Sequence, residues 1–271
     1  MYFKVEKNVT LAQYLKEQLS RRFYRKLKFL SALIYVNDII TPLYKEVHIG
    51  DEIRIIYQKE KEATWQPLSK ELKIIYEDEH YAIVYKEADL LTIPIKACPE
   101  SLYQQLLFHF KSADIHILNR LDRKTSGLVV IAKDSYAASL LEPTHEHIVR
   151  KYICLVEGNV LSDGTICKNI SKCEDSNKRY ISETGKRAVS HYHILKQLEN
   201  QTLLEFVLET GRTHQIRLHS SSIGHPIVGD SMYGNGKEED FLYLTSYAVT
   251  FTNPFNNKVI DLKLKEGWWN E

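Results

Sequence analysis

Asp122 stands where a carboxylate is hard to explain by packing alone. It follows Asn119, Arg120 and Leu121 and precedes Arg123, Lys124, Thr125, Ser126 and Gly127, and an apolar run begins at once with Leu128. Burying an unpaired carboxylate costs several kcal/mol, so such a group is solvated, caps its turn, or is paired for a purpose. Held and ionised, it can serve as a covalent nucleophile or as a general base. Tyr152 lies between Lys151 and Ile153 on an alternating run and, taken by itself, reads as a half-buried packing residue.

Other constellations fail as sites. The run Glu183-Thr184-Gly185-Lys186-Arg187 resembles a phosphate loop, but Tyr180 occupies the position of the upstream glycine and Arg187 that of the Ser or Thr. His145 with His147, and His191 with His193, could share strand faces, yet no Cys or carboxylate joins them at ligand spacing. No metal and no cofactor is expected. The four cysteines, Cys98, Cys154, Cys167 and Cys173, form no CxxC pair and suggest reduced thiols rather than a disulfide framework.

These residues need a scaffold, and the chain of 271 residues is long enough for one good core and a small second module. Charge is nearly balanced, 36 basic against 35 acidic, but residues 1–30 carry eight basic side chains and two acidic ones. That local excess favours a phosphate-bearing partner, although a solvated helix face looks similar. No apolar leader or membrane span is legible, and the chain reads as a cytoplasmic monomer.

Residues 1–57 read as a unit. Thr10 caps a helix with Leu11, Leu15 and Leu19 on one stripe, and Ser20 caps a second with Phe23, Leu27 and Leu30 inward and Arg21, Arg25 and Lys28 on another face. Short strands are predicted at Leu33–Val36 and Glu52–Tyr57, with turns at Asn37-Asp38 and Gly50-Asp51. Residues 58–70 are charged and broken by Pro67, a linker. The remainder, 71–271, is strand-rich. A hairpin is predicted across Glu77-Asp78-Glu79-His80, a buried strand at 127–133, a short helix near 134–142, and strands at 150–158, 187–195 and 202–210. A helical turn or two capped by Thr213 ends at Gly224, and the run Phe241 to Phe251 closes the sheet. Strands interspersed with short helices, without strict alternation, argue for α+β architecture with a mostly antiparallel mixed sheet.

Four ordered stretches carry a resemblance. The run from Asn119 to Lys133 resembles the His-Arg-Leu-Asp, Thr-Ser-Gly signature of RluA-type pseudouridine synthases. Arg150-Lys151-Tyr152 is similar to that family's Lys-x-Tyr strand, and Gly211-Arg212-Thr213-His214-Gln215-Ile216-Arg217 with the turn to Gly234 resembles its third motif. Residues 77–93 resemble its first hairpin, with Tyr85-Lys86-Glu87-Ala88-Asp89 where Asn-Lys-Pro-Ala-Gly is usual. The similarity spans about 71–253. The N-terminal unit resembles the S4-like ribosomal-protein module that many of these enzymes carry.

The resemblance implies a pseudouridine synthase fold with flanking short helices behind a small α/β RNA-binding module. It implies an isomerase that breaks a uridine's base–sugar bond, turns the base and rejoins it through another ring carbon, in ribosomal or transfer RNA, without cosubstrate. Asp122 is then the catalytic carboxylate, Arg217 its cationic partner, and Tyr152 the residue that stacks on the uracil. Arg120 fills the gap left by the flipped nucleotide. Ile216 walls the base, while Asn119, Arg212 and His214 contact substrate, with Arg21, Arg25 and Lys28 on RNA phosphates. Asn119 departs from the family's histidine and cannot become cationic. Set against this is a catalytically inactive RNA-binding protein on the same fold, signalled by the departures at 85–89 and 119.

Overall fold

The computed structural model describes residues 1–19, 21–27, 33–56, 65–95, 98, 100–141, 148–174 and 176–270. Ser20, Lys28, Leu30, Tyr57, His145 and His147 of the preceding section lie outside the described residues.

The N-terminal unit comprises β1 (Tyr2–Lys4), β2 (Val9–Thr10), α1 (Leu11–Gln18), α2 (Arg21–Leu27), β3 (Leu33–Val36), β4 (Ile39–Ile40), β5 (Glu46–Val47) and β6 (Glu52–Ile56). Thr10 caps α1 as its position demands, with extended backbone and its hydroxyl accepting the Gln13 amide at 3.3 Å. Leu11, Leu15, Leu19, Phe23 and Leu27 bury against Ile34, Val36, Ile53 and Ile55, so the apolar stripes of both helices cover the sheet β1-β6-β3-β4. Asn37 and Asp38 both take left-handed backbone (φ 50° and 64°), the requirement of a two-residue hairpin turn between β3 and β4.

The second region starts with the expected hairpin, β7 (Lys73–Glu77) and β8 (Tyr81–Lys86), followed by α3 (Leu102–Phe110), β9 (His116–Ile117), β10 (Ser126–Ala132) and α4 (Ser135–Leu141). Then come β11 (Ile148–Glu157), β12 (Gly164–Cys167), β13 (Ile170–Lys172), β14 (Arg179–Ile181), β15 (Val189–Gln197), β16 (Gln201–Leu208), α5 (Gln215–Ser222), β17 (Leu244–Thr252) and β18 (Val259–Lys263). The large sheet runs β12-β15-β16-β11-β17-β10-β8-β7, with β9 and β18 paired off that path. Every pairing is antiparallel except one. β10 meets β17 in parallel through Ser126↔Thr245 and Gly127↔Ser246.

Two differences from the sequence expectation have physical reasons. β17 does not close the sheet but sits at its centre, because its apolar side chains find cover on both faces and both edges. Thr213 does not cap α5; His214 holds the cap position in left-handed backbone (φ 58°), and the Gln215 side chain accepts the Arg212 amide at 2.9 Å instead. The continuous apolar run of β10 is explained by its two covered faces. Val129 and Ile131 enter one core with Tyr152 and Ile216, while Leu128 and Val130 enter another with Ala137, Ala138 and Leu141 of α4.

The two regions meet at Tyr136 of α4. Its ring packs against Phe3 and Phe23 on one side, with centroids 6.2 and 5.9 Å away, and against Phe255 at 5.7 Å on the other. The basic helix α2 is thereby held against the second region by aromatic packing worth about 1 kcal/mol per pair beyond area burial.

Candidate active site

The turn carrying Asp122 is pinned on both sides. The Thr92 hydroxyl accepts the Leu121 amide at 3.1 Å and donates to the Leu121 carbonyl at 2.7 Å. Lys86, fully buried at the end of β8, donates to the carbonyls of Glu87 (2.8 Å), Leu90 (2.7 Å) and Arg123 (3.1 Å). The Thr125 amide closes the turn onto the Asp122 carbonyl at 3.1 Å. Gly127 follows with φ 119°, and a Cβ there would collide with the Ser246 carbonyl, so only glycine lets β10 approach β17 this closely. Together these contacts leave the Asp122 backbone little freedom while its side chain stays 23% exposed at the sheet's centre.

Burial pushes the Lys86 amine down to about 7, an effect that Asp122, Asp89 and Glu87 oppose. The departures of segment 85–89 leave this arrangement intact. Asp89 takes left-handed backbone (φ 60°) at the position of the family's glycine, a conformation Asp tolerates better than most residues.

Two basic groups face the Asp122 carboxylate. Arg217 Nη1 lies 4.0 Å from Oδ2, and His214 Nε2 lies 4.0 Å from Oδ1. The main partner of Arg217 is another residue, one the sequence reading did not single out. Asp230 receives Arg217 Nε and Nη2 in a fork at 2.8 and 2.8 Å, and also accepts the amides of Met232 (2.9 Å) and Tyr233 (3.0 Å). Burial opposes the Asp230 charge, yet Arg217 and those amides hold its carboxyl below the usual range. The same pairing raises Arg217 further against its own burial. The guanidinium is thus locked by Asp230 and presents its remaining nitrogen to Asp122. The signal was in the sequence: Gly229-Asp230 follows the third motif, in a tight turn where Gly229 has φ 78° and a Cβ would meet the Phe241 carbonyl.

Tyr152 is 6% exposed and shares the core with Ile216. Burial pushes its phenol up, Arg150 pulls it down, and Asp122 pushes it up again, which places all three in one electrostatic neighbourhood. Ile216 is buried in the core. Arg120 is exposed beside the turn. Arg212 is half-buried and donates from Nε to the Arg187 carbonyl at 3.1 Å. Asn119 is turned the other way. Its amide donates to the Leu128 carbonyl at 3.2 Å and its oxygen accepts the Val130 amide at 2.7 Å, so this buried side chain splints the turn to β10 instead of reaching RNA. On α2, Arg25 is exposed. His191 and His193 are engaged with Glu209 (2.9 Å) and Asp163 (3.0 Å), ordinary surface pairs.

The arrangement offers one pinned, partly solvated carboxylate, a locked cation and an aromatic ring in one centre. A second carboxylate flanking a substrate bond, as hydrolysis of a glycosidic linkage requires, is not what Asp230 supplies, since it is fully buried and neutralised by Arg217.

The family model described as RNA pseudouridylate synthase matches residues 80–222. The chain is 31% identical over 242 residues to the uncharacterized RNA pseudouridine synthase YjbO of Bacillus subtilis, covering 85% of this chain and 86% of that protein. It is 36% identical over 214 residues to the ribosomal large subunit pseudouridine synthase D of Escherichia coli, covering 76% of this chain and 66% of that protein, just under two thirds of its length. Among solved structures, human RNA pseudouridylate synthase domain containing 1 superposes with a TM-score of 0.62 at 23% identity, over 74% of this chain and 86% of that one, a likeness of fold.

Proposed function

Because the chain belongs to the RNA pseudouridylate synthase family and is a pseudouridine synthase, an isomerase, we propose that Asp122 is its catalytic carboxylate and ribosomal RNA its substrate. The observation that carries the first part is the pinned Asp122 turn facing a guanidinium that Asp230 already holds rigid. Breaking and remaking a base–sugar bond without redox change needs one ionised carboxylate at the sugar, attacking it or taking its proton. Arg217 faces that carboxylate with a fixed positive charge 4.0 Å away, and Tyr152 stacks on the extruded uracil. Arg120 occupies the space the base vacates.

Ribosomal RNA is supported by the relatives' names, since the Escherichia coli protein is a ribosomal large subunit enzyme. Mapping pseudouridines in cells with and without this chain tests the assignment. A uridine of large-subunit ribosomal RNA should lose its modification. Loss only in transfer RNA would overturn the substrate while leaving the chemistry in place.

Arg217→Lys should lower turnover by roughly a hundredfold or more with RNA affinity within about twofold, because an ammonium cannot fork onto Asp230 and still reach Asp122. Single-turnover tritium release beside filter binding measures both. Full activity would show that the planar fork is not what orients the site.

The N-terminal unit acts in this reading as an S4-like RNA-binding module, with RNA phosphates met by Arg21, Arg25 and Lys28. Replacing these three with Ala should weaken binding and reduce the salt slope by about one per lost phosphate contact. Activity on a short stem-loop should survive better than activity on long RNA. An unchanged salt slope would make the helix a solvated face and nothing more.

A further inference from the structure

His214 is not arranged like an RNA contact. It is mostly buried at the start of α5, its left-handed backbone (φ 58°, ψ 20°) turns the ring inward, and both ring nitrogens meet protein groups. Nδ1 lies 2.9 Å from the Tyr233 hydroxyl, and Nε2 faces Asp122 Oδ1 at 4.0 Å.

The Tyr233 oxygen points to which nitrogen carries the proton. It already accepts the Arg179 backbone amide at 2.8 Å, so its own O–H needs an acceptor, and among the described residues the acceptor in reach is His214 Nδ1. A neutral imidazole that accepts at Nδ1 carries its hydrogen at Nε2, aimed at Asp122. We propose that His214 is a positioning residue, a neutral Nε2–H donor locked by Tyr233 that holds one oxygen of Asp122 while Arg217 holds the other. This rests on Asp122 being the reacting carboxylate.

Neutrality matters to the design. The groups facing the imidazole are Asp122 from the turn, Arg217 on the same helix, Arg179 of β14, and Asp230 and Tyr233 from the loop after α5. Burial pushes the imidazole down, Asp122 pushes it up, and Arg217 and Arg179 push it down, with a net lowering that keeps it uncharged near pH 7. A neutral donor can orient one carboxylate oxygen without adding a second full cation beside Arg217. The 4.0 Å separation fits a free enzyme, where catalytic hydrogen bonds are commonly long and tighten around substrate.

The test compares two amides of different reach. His214→Gln puts an N–H near the Nε2 position; His214→Asn tolerates left-handed backbone but stops short of Asp122. His214→Asn should lose about 10- to 100-fold in kcat with KM within twofold, the usual effect of one hydrogen bond to a charged group. His214→Gln should recover most of it, and its pH profile should lack the acid limb that imidazole protonation gives the unmutated enzyme. In the unmutated protein, long-range ¹H–¹⁵N spectra should show His214 with bare Nδ1 and protonated Nε2, whether or not either variant folds. Raised KM at constant kcat, equal losses in both variants, no loss in either, or a protonated Nδ1 would each overturn the proposal. Asp122→Asn is assayed alongside. If it remains active, the carboxylate assignment has failed; if it is dead while His214→Asn matches the unmutated enzyme, only the role of His214 has.

Discussion

Asp122→Asn should abolish pseudouridine formation, a loss of at least roughly 10³-fold in turnover, while RNA affinity and the fold stay near those of the unmutated protein. The substitution is nearly isosteric and removes only the charge. Nothing that pins the turn uses the carboxylate: Thr92, Lys86 and the Thr125 amide all bind backbone atoms of residues 121–123. Stability should hold or rise slightly, since relieving active-site charge often has that effect. Affinity should hold because phosphate contacts supply most of it and Tyr152 still stacks. Release of carbon-five tritium from labelled ribosomal RNA, run beside a binding isotherm on the same preparation, reads both outcomes. Substantial release by folded Asp122→Asn would sink the mechanism.

The second large effect falls on a residue that never approaches the substrate. Asp230→Ala should destabilise the protein by about 3–5 kcal/mol, because it strands the Arg217 guanidinium in a buried site with two unpaired N–H groups. Against a typical total of about 5–15 kcal/mol that loss is severe. Asp230→Asn should cost less stability but still lower turnover, since an amide pairs with only part of the fork and lets Arg217 shift. The pH dependence distinguishes this pair from a neutral contact. The folded carboxyl of Asp230 lies below its unfolded value of about 4, so its contribution is complete above that pH and disappears as pH falls through the folded value. Urea titrations at pH 7 and pH 3.5 should show the gap between Asp230→Ala and the unmutated protein narrowing at the lower pH. A constant gap would mean the pair contributes through packing alone.

Much of this was legible in the sequence where local pattern coincides with tertiary cover. α1 and its Thr10 cap, β3, the β7–β8 hairpin and β10 follow directly from periodicity and turn residues. The positions of Asp122, Tyr152 and Arg217 in one centre follow from the ordered motifs. What stayed hidden depends on contacts between distant segments. Asp230 reads as a turn residue until α5 brings Arg217 against it, and Lys86 reads as a strand-end lysine until three carbonyls converge on its amine. Asn119, expected at the RNA, serves the backbone of β10, a role that needs an amide's donor and acceptor and no charge. The central place of β17 was equally hidden, since an apolar strand reads the same at an edge as in the middle.

The two parallel register pairs between β10 and β17 have a consequence for how the protein is made. They join Ser126 to Thr245 across 119 residues of chain, and Asp122 and Tyr152 lie on opposite sides of that seam. Until β17 is available, β11 and the Ser126 end of β10 each lack a partner on one edge, and the two halves of the sheet have no common strand. Contacts of such long sequence separation form late, after loop-closure entropy has been overcome. During synthesis the N-terminal unit, whose described strand pairs all close within residues 1–56, can fold well before β17 leaves the ribosome. A nascent chain therefore completes its N-terminal fold before Asp122 and Tyr152 are joined in one sheet.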